Sequence, residues 1–405
     1  MKSKYTRFVC RENTVVVYNT LTNGCIELET DNIEEAEDFI NSTDDESLKT
    51  LGIITDGDEY VLLNQYIHGL REGTNVLHIF LIMTYSCNSN CSYCFEKNTS
   101  NDPFFLNPSN IDPIKNYIRS HYNRGYSSLE LHFFGGEPLL ETGLINELLK
   151  YLNENEIYFK SNVITNGTLI TEDIAKSFLK LGLKNYQITI DGPKPIHDLR
   201  RPLKTKISAF DETLRGIRAI VDLDVQIAIR INIDEDNVEY LPQIISSFYI
   251  NEDIPKNLTF YVAPVIGVLK SSVLNTFAVR ERVLKYAWKM IDENSLPIII
   301  SPPVYAPCPY ISESSAFYID LSGRKYICGG LVGEKQQIEG IFFENNEVYK
   351  ERMKRSNYGI ECINCSVFPI CMGGCKYEKR SLGNHCPRQF LESMHDEYYT
   401  KYFIT

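Results

Sequence analysis

From Leu77 onward the apolar positions fall into short runs separated by longer amphipathic stretches. Strand-like runs occur at Leu77–Met83, Leu129–Phe134, Tyr158–Thr165, Tyr186–Ile190, Val225–Ile233 and Leu258–Ala263. Their apolar or alternating pattern reads as strands of a largely buried sheet. Helix-period segments lie between them, among them Ile111–Tyr122, Leu144–Asn153, Thr171–Leu181 and Phe210–Val221. Six βα units in a row predict an α/β fold, a parallel sheet with helices outside. Six is short of the eight that close a full barrel. A further helix, Arg280–Glu293, ends this region.

The flanking regions follow other rhythms. Phe8–Val17 alternates, Asn19–Gly24 is rich in turn formers, and Cys25–Glu29 alternates again, which predicts a β-hairpin. Helix-like segments at Ile33–Asn41 and Asp45–Leu51 follow, then Gly52–Glu59 as a short strand and turn. That order describes a small winged-helix-like α+β module over residues 1–75. Cys10 and Cys25 are expected there as buried thiols that behave as small hydrophobes. Residues 302–405 lose the βα rhythm and end in an aromatic-rich helix through Tyr398, Tyr399 and Tyr402. The expected domains are 1–75, 76–295 and 296–405.

Composition narrows the function. The chain has 405 residues, 43% hydrophobic, with a net charge of −12, which argues against a nucleic-acid partner. It has no eighteen-residue apolar stretch, and its start leads into no signal-peptide core. The expectation is a cytoplasmic protein with no membrane partner. Its twelve cysteines are then better read as metal ligands than as disulfides. They are grouped. Cys87, Cys91 and Cys94 form a CxxxCxxC loop directly after the first strand of the βα series, and seven more lie between Cys308 and Cys386.

A closed zinc site takes four ligands, and the loop offers three. A cubane iron–sulfur cluster usually takes four thiolates, so three would leave one iron open. By spacing alone, a zinc knuckle or three reduced core thiols remain alternatives. Phe134-Gly135-Gly136-Glu137-Pro138 follows the second strand, and Pro138 ends that loop before the next helix. Glycines there permit close approach to the backbone, and the Glu137 carboxylate can accept from an ammonium.

CxxxCxxC followed one βα unit later by GGEP resembles the signature of the radical S-adenosylmethionine (SAM) enzymes. The resemblance implies a partial (β/α)6 barrel, open on one side. It implies a [4Fe–4S] cluster on Cys87, Cys91 and Cys94 whose free iron chelates SAM, and cleavage of SAM to a 5′-deoxyadenosyl radical that abstracts hydrogen. By the same resemblance Gly135, Gly136 and Glu137 hold the SAM amino group. Asn166, Thr189 and Asp191 line the ribose and methionine carboxylate, and Tyr93 sits beside the adenine. Arg230 and Asn232 share one side of the fifth strand. Arg230 reads equally as a SAM-pocket residue and as a salt bridge at the barrel mouth.

The last seven cysteines, Cys308, Cys328, Cys362, Cys365, Cys371, Cys375 and Cys386, resemble the SPASM pattern found at the end of peptide- and protein-modifying radical SAM enzymes. Zinc ribbons are the alternative. The resemblance implies two auxiliary [4Fe–4S] clusters, three in all. Cys362, Cys365, Cys371 and Cys386 would fully ligate one, and Cys308, Cys328 and Cys375 would hold the other. Two cubanes take eight thiolates, so one iron lacks a protein cysteine. Sulfatase-maturing relatives carry an aspartate after the cysteine aligned with Cys328, where this chain has Gly329-Gly330. No general base is identified. The winged-helix-like module resembles the peptide-recognition domains (RRE-like) that bind leader peptides by strand addition. Together these features imply a peptide maturase that forms a cross-link, a cysteine thioether, in a ribosomally made precursor. Its electron donor would be a flavodoxin or ferredoxin. The competing readings are maturation of a folded protein such as a sulfatase, and a non-catalytic iron–sulfur electron-transfer protein.

Overall fold

The structure is a computed structural model that describes residues 1–72, 75–96, 110–122, 126–250, 253–265, 276–305, 316–326, 328–335, 338, 360–375, 377–378 and 386–402. The chain forms two compact units: residues 74–299 with 315–349, and residues 1–73 with 300–314 and 350–405. No helix among the described residues is long and apolar enough to cross a membrane.

The first of these units carries the βα series. The numbering of its strands continues from three in the other unit, and that of its helices likewise. Its strands are β4 (Val76–Thr84), β5 (Ser128–Gly135), β6 (Phe159–Thr165), β7 (Asn185–Ile190), β8 (Gln226–Ile233) and β9 (Leu258–Pro264). Its helices are α4 (Asp112–Tyr122), α5 (Thr142–Glu154), α6 (Glu172–Lys180), α7 (Lys194–Arg200), α8 (Ala209–Arg218), α9 (Leu241–Ser246) and α10 (Phe277–Glu293). The six strands pair in parallel in sequence order, as a repeated βα series requires. Three short strands extend the sheet. β10 (Ile298–Ile299) adds beside β9, β11 (Ala316–Asp320) runs parallel to β4, and β12 (Lys325–Tyr326) is antiparallel to β11. The unit is thus a partial barrel, with distinct edge strands rather than a closed ring.

Strand parity divides the sheet into two faces. Leu77, Ile79 and Leu81 of β4 align with Leu129, Leu131 and Phe133 of β5, and all six are buried. Ile188 and Ile190 align with Ile229 and Ile231 in the same way. The helices bury matching apolar stripes, such as Leu148, Leu149 and Leu152 of α5. The other face is mixed: His78, Glu130, His132, Asn162, Gln187, Thr189 and Arg230 share it with apolar residues such as Phe80, Ile82 and Ile164. Side-chain caps fix where helices start: Thr171 accepts from the amide of Ile174, and Ser208 from that of Asp211.

The second unit joins the first and last parts of the chain. β1 (Thr6–Arg11), β2 (Thr14–Asn19) and β3 (Cys25–Leu28) form an antiparallel sheet in that order, followed by α1 (Ile33–Ser42), α2 (Glu46–Thr50) and α3 (Glu59–Glu72). α11 (Ile360–Ile363), α12 (Phe368–Cys371) and α13 (Arg388–Lys401) complete it. β2 is covered on both faces. Val15 and Val17 pack with Ala36, Ile40, Leu48 and Ile53, while Val16 and Tyr18 pack with Tyr399 of α13. The Tyr18 and Tyr399 rings stack with centroids 3.9 Å apart.

Three expectations for this region change. The alternating run Phe8–Val17 is two strands, because a two-residue turn at Glu12-Asn13 preserves the period of two and leaves no break in the pattern. Gly52–Glu59 contributes only an isolated bridge between Lys2 and Ile54, and a helix, α3, begins at Glu59. Asp58 signals that start by accepting from the amide of Tyr60. Cys10 is exposed and Cys25 only half-buried, because β1 and β3 are the edges of a three-stranded sheet.

Candidate active site

The cysteine loop leaves the carboxyl end of β4 and is held at its backbone. The amides of Asn90 and Ser92 donate to the carbonyls of Pro202 (2.8 Å) and Arg200 (2.9 Å), and the Lys204 amide donates to Asn88 O (2.9 Å). The segment after α7 thus runs beside Cys87–Cys94 almost as a strand, with Ser89 bridging Leu203. The GGEP turn packs against the start of the same loop. A Cβ on Gly135 would lie 2.3 Å from Thr84 O, and one on Gly136 would lie 2.3 Å from Ser86 O. Gly135 also has φ +116°. These glycines therefore admit the chain's own backbone: the amides of Gly136 and Glu137 donate to Thr84 O (2.8 Å) and Ser86 O (2.9 Å).

Glu137 is wholly buried. Its Oε1 accepts from Thr165 Oγ1 (2.7 Å) and the Leu139 amide (3.0 Å), and its Oε2 accepts from the Asn166 amide (2.9 Å). Burial pushes the carboxyl above its ordinary value, and these donors work against the rise. A carboxylate offers about four acceptor positions, so one remains on Oε2. Asn166 extends the contact to the cysteine loop, donating from Nδ2 to Asn88 Oδ1 (2.7 Å) and Ser89 Oγ (3.3 Å). Glu137, Asn166 and the loop are thereby brought together.

Asp191 and Tyr93 belong to a second network that includes residues the sequence reading missed. Arg200 Nε donates to Asp191 Oδ2 (3.2 Å), and Arg200 Nη2 lies 2.8 Å from Asp234 Oδ2. Arg201 Nη1 donates to Tyr93 Oη (2.6 Å) and lies 3.7 Å from Asp191 Oδ1. Burial works against the Arg201 charge, but Tyr93, Cys91 and Asp191 outweigh it and hold the guanidinium above its usual range. Asn232 Nδ2 also donates to Tyr93 Oη (2.9 Å), and Arg230 Nε to Asn232 Oδ1 (2.9 Å). Thr189 is in register with Arg230 on the same face. The Arg200 guanidinium lies over the Tyr93 ring, 5.4 Å from its centroid. Asp191 Oδ1 is buried and accepts no hydrogen bond among the described residues. A free acceptor position on Glu137 and another on Asp191 suit a ligand that brings donors, such as an ammonium group and hydroxyls.

The sulfurs are surrounded by amides. The Ser89 amide donates to Cys87 Sγ (3.4 Å), and the Glu96 amide is directed at Cys94. Burial pushes the Cys87 thiol up to about 11 and the Cys94 thiol up to about 12. In the other unit, burial likewise raises Cys371 to about 12, with Cys386 and Cys365 adding to the rise and the amides of Gly373 and Gly374 opposing it. The Val367 amide opposes the rise at Cys365. Cys365, Cys371 and Cys386 are thus close enough to feel one another's charge. Met372, Gly373 and Gly374 all have positive φ (45°, 79° and 76°), so three left-handed residues fold the chain back over Cys371. Cys362 lies on α11, and its carbonyl accepts from the Cys365 amide (3.0 Å). Amide donors on buried sulfurs are what a metal–thiolate cluster uses, because the metal charge replaces the protons. Cys375 follows Gly374, Cys328 follows β12 in the barrel unit, and Cys308 lies outside the described residues.

The model of the radical SAM superfamily matches residues 81–247. The chain is 32% identical over 264 residues to uncharacterized protein MJ0907 of Methanocaldococcus jannaschii, covering 63% of this chain and 86% of that protein. It is 24% identical over 346 residues to the radical SAM cyclopropyl synthase TigE of Paramaledivibacter caminithermalis, covering 76% and 70%. It is 25% identical over 335 residues to a cysteine-type anaerobic sulfatase-maturating enzyme of Clostridium novyi (strain NT), covering 73% and 86%. Among solved structures, native anSMEcpe with bound AdoMet superposes with a TM-score of 0.63 at 18% identity, over 80% of this chain and 96% of that one. Streptococcus suis SuiB bound to precursor peptide SuiA superposes with a TM-score of 0.56 at 16% identity, over 93% and 95%. With its partial barrel, and a cysteine loop pinned to a Gly-Gly-Glu-Pro turn, the chain belongs to the radical SAM superfamily of enzymes.

Proposed function

We propose that this enzyme is a peptide maturase that installs a thioether cross-link in a ribosomally made precursor. The observation that carries the reading is the extent of the likeness to SuiB: 93% of this chain and 95% of that one share a fold, and SuiB is solved with a precursor peptide. SAM bound at an iron–sulfur cluster supplies, when reduced, a carbon radical that abstracts hydrogen. This chain's residues would do the positioning. Cys87, Cys91 and Cys94 would hold the cluster on a loop that Asn166 and residues 200–204 keep in place. Glu137 and the Gly135-Gly136 turn would receive the SAM ammonium, and Asp191 a ribose hydroxyl. Thr189 and Arg230 would line the same pocket, with Tyr93 beside the adenine, its phenol oriented by Arg201 and Asn232. Cys362, Cys365, Cys371 and Cys386 would hold one auxiliary [4Fe–4S] cluster. Cys308, Cys328 and Cys375 would hold another, one thiolate short of eight in total. A precursor cysteine would complete that set and become the sulfur of the thioether. A flavodoxin or ferredoxin would supply the electrons.

Sulfatase maturation is the second reading, favoured by the likeness to the Clostridium novyi enzyme. Gly329 counts against it. A Cβ there would lie 2.8 Å from Tyr318 Cε1, so an aspartate at the position after Cys328, as in the sulfatase-maturing group, would require the Tyr318 ring to move. Anaerobic reconstitution separates these possibilities. The expected product contains about twelve iron, three cubanes. Incubation with SAM, a reductant and a short cysteine-containing precursor should yield 5′-deoxyadenosine and a peptide lighter by two hydrogens, with its thiol blocked. The Cys87→Ala/Cys91→Ala/Cys94→Ala variant should keep its C-terminal iron and make no 5′-deoxyadenosine. Turnover of a sulfatase-derived peptide alone would favour the second reading, and about four iron would remove the auxiliary clusters.

A further inference from the structure

The barrel unit holds a second constellation of metal-ligating side chains, far from the cysteine loop. His78 of β4 and Glu130 of β5 are direct register neighbours, and His132 follows two residues later on the same face. His78 Nδ1 lies 3.1 Å from Glu130 Oε2. One donor atom from each of His78, Glu130 and His132 falls within 4.8 Å of the others, and all three residues are half-buried. The His132 ring is stacked on Phe80 with centroids 4.3 Å apart, and Phe80 is stacked in turn on Tyr318 at 4.4 Å. That stack fixes the imidazole plane. Burial holds His132 below its ordinary imidazole value, with Glu130 opposing that shift. A cavity of about 300 Å³ adjoins the cluster, lined in part by Glu130, His132, Asn162, Gln187 and Thr259.

An ordinary ion pair would account for His78 and Glu130. It gives no reason for a second imidazole to converge on the same carboxylate beside an open cavity. We propose that His78, Glu130 and His132 bind one divalent transition-metal ion of the zinc type. Two imidazoles and a carboxylate are a donor set such ions prefer, and three protein ligands leave a position open. The adjoining cavity is where water would fill that position. Lys160 is in register with Glu130 and lines the same cavity, so a second cation is disfavoured there and a small anion is favoured. His78 lies six residues before Thr84, the end of β4. At the rise of a strand that is about 20 Å. The ion would therefore sit towards the amino ends of the strands, joining β4 to β5, and would take no part in the chemistry at the cysteine loop.

The test uses tag-free holoenzyme with its clusters reconstituted, equilibrated with zinc chloride and freed of excess metal. The expected result is one equivalent of zinc whose X-ray absorption shows nitrogen and oxygen neighbours at about 2.0–2.1 Å and no sulfur shell near about 2.3 Å. Glu130→Gln and His132→Gln should each weaken zinc retention at least about ten-fold while leaving iron content and SAM cleavage unchanged. A sulfur shell would assign the zinc to cysteines and overturn the proposal, as would equal zinc retention by wild type and both variants. Should His132→Gln fail to fold, the isosteric Glu130→Gln still decides the matter.

Discussion

Glu137 illustrates how one residue type can be legible while its surroundings are not. Its place in Gly-Gly-Glu-Pro marked it in the sequence, but its three donors come from Leu139, Thr165 and Asn166, and the latter two lie 28 and 29 residues away. The glycines were legible too, but the sequence did not show that they also admit the close approach of Thr84 and Ser86. Arg200 and Arg201 carried no signal, because charged residues at the end of a short helix usually face solvent. Their burial follows from Tyr93 and Asp191, which only the fold brings to them. His197 belongs to the same region and gives a pH dependence. Its Nδ1 accepts from the Asp191 amide (3.2 Å), and burial lowers its pKa from 6.5 to about 3. The unfolded chain therefore takes up a proton below about pH 6.5 that the folded chain refuses. This stability is complete above that pH and is lost as pH falls toward about 3, at up to about 1.4 kcal/mol per unit. Between pH 7 and pH 5 the protein should lose about 2 kcal/mol from this source. His197→Gln, whose amide oxygen can accept the same N–H, should flatten that part of a melting-temperature profile. An unchanged profile would place the sensitivity elsewhere.

Elements were easiest to read where the period is unbroken. The six parallel strands and the helices between them were visible because one sheet face is uniformly apolar, as in Leu77, Ile79 and Leu81. Helix α3 was not, since Leu63 and Ile67 bury against Phe368 and Met372, three hundred residues later in the chain. The β1–β3 sheet offers a direct test of peptide docking. The Asn19 amide donates to Gly24 O, so the ladder bonds of β3 belong to Ile26 and Leu28. The backbone groups of Cys25 and Glu27 then point off the free edge. If a precursor strand adds there, Glu27→Pro should weaken its binding about five-fold, the worth of one hydrogen bond of about 1 kcal/mol. Glu27→Ala, which loses only the contacts to Thr14 and Arg11, should bind normally. Cleavage of SAM without precursor should be the same in both. Equal precursor affinity for the two variants would rule out the β3 edge.

At the scale of the whole molecule, the unit built from residues 1–73, 300–314 and 350–405 is discontinuous in sequence. Arg7 pairs with Asp396 (2.7 Å) and Glu392 (2.9 Å), Tyr5 Oη donates to Ile363 O (3.0 Å), and Tyr18 lies under Tyr399. During synthesis, then, β2 emerges long before the helix that covers Val16 and Tyr18. At about 5–20 residues per second the wait is roughly 20–75 s. Throughout it the nascent chain presents an uncovered aromatic strand, the kind of surface that chaperones hold and that aggregates when they do not. A chain stopped at Pro387 should make this state permanent. It should still form the barrel, bind a hydrophobic dye through residues 1–55, and pellet unless a holding chaperone is supplied. A truncated chain that stays soluble alone and binds no dye would mean that the first sheet needs no cover. The lag also sets an order for maturation. The cysteine loop is complete while Cys362, Cys365, Cys371 and Cys386 are still unmade, so if both groups hold clusters as proposed, the first site can be filled before the second exists.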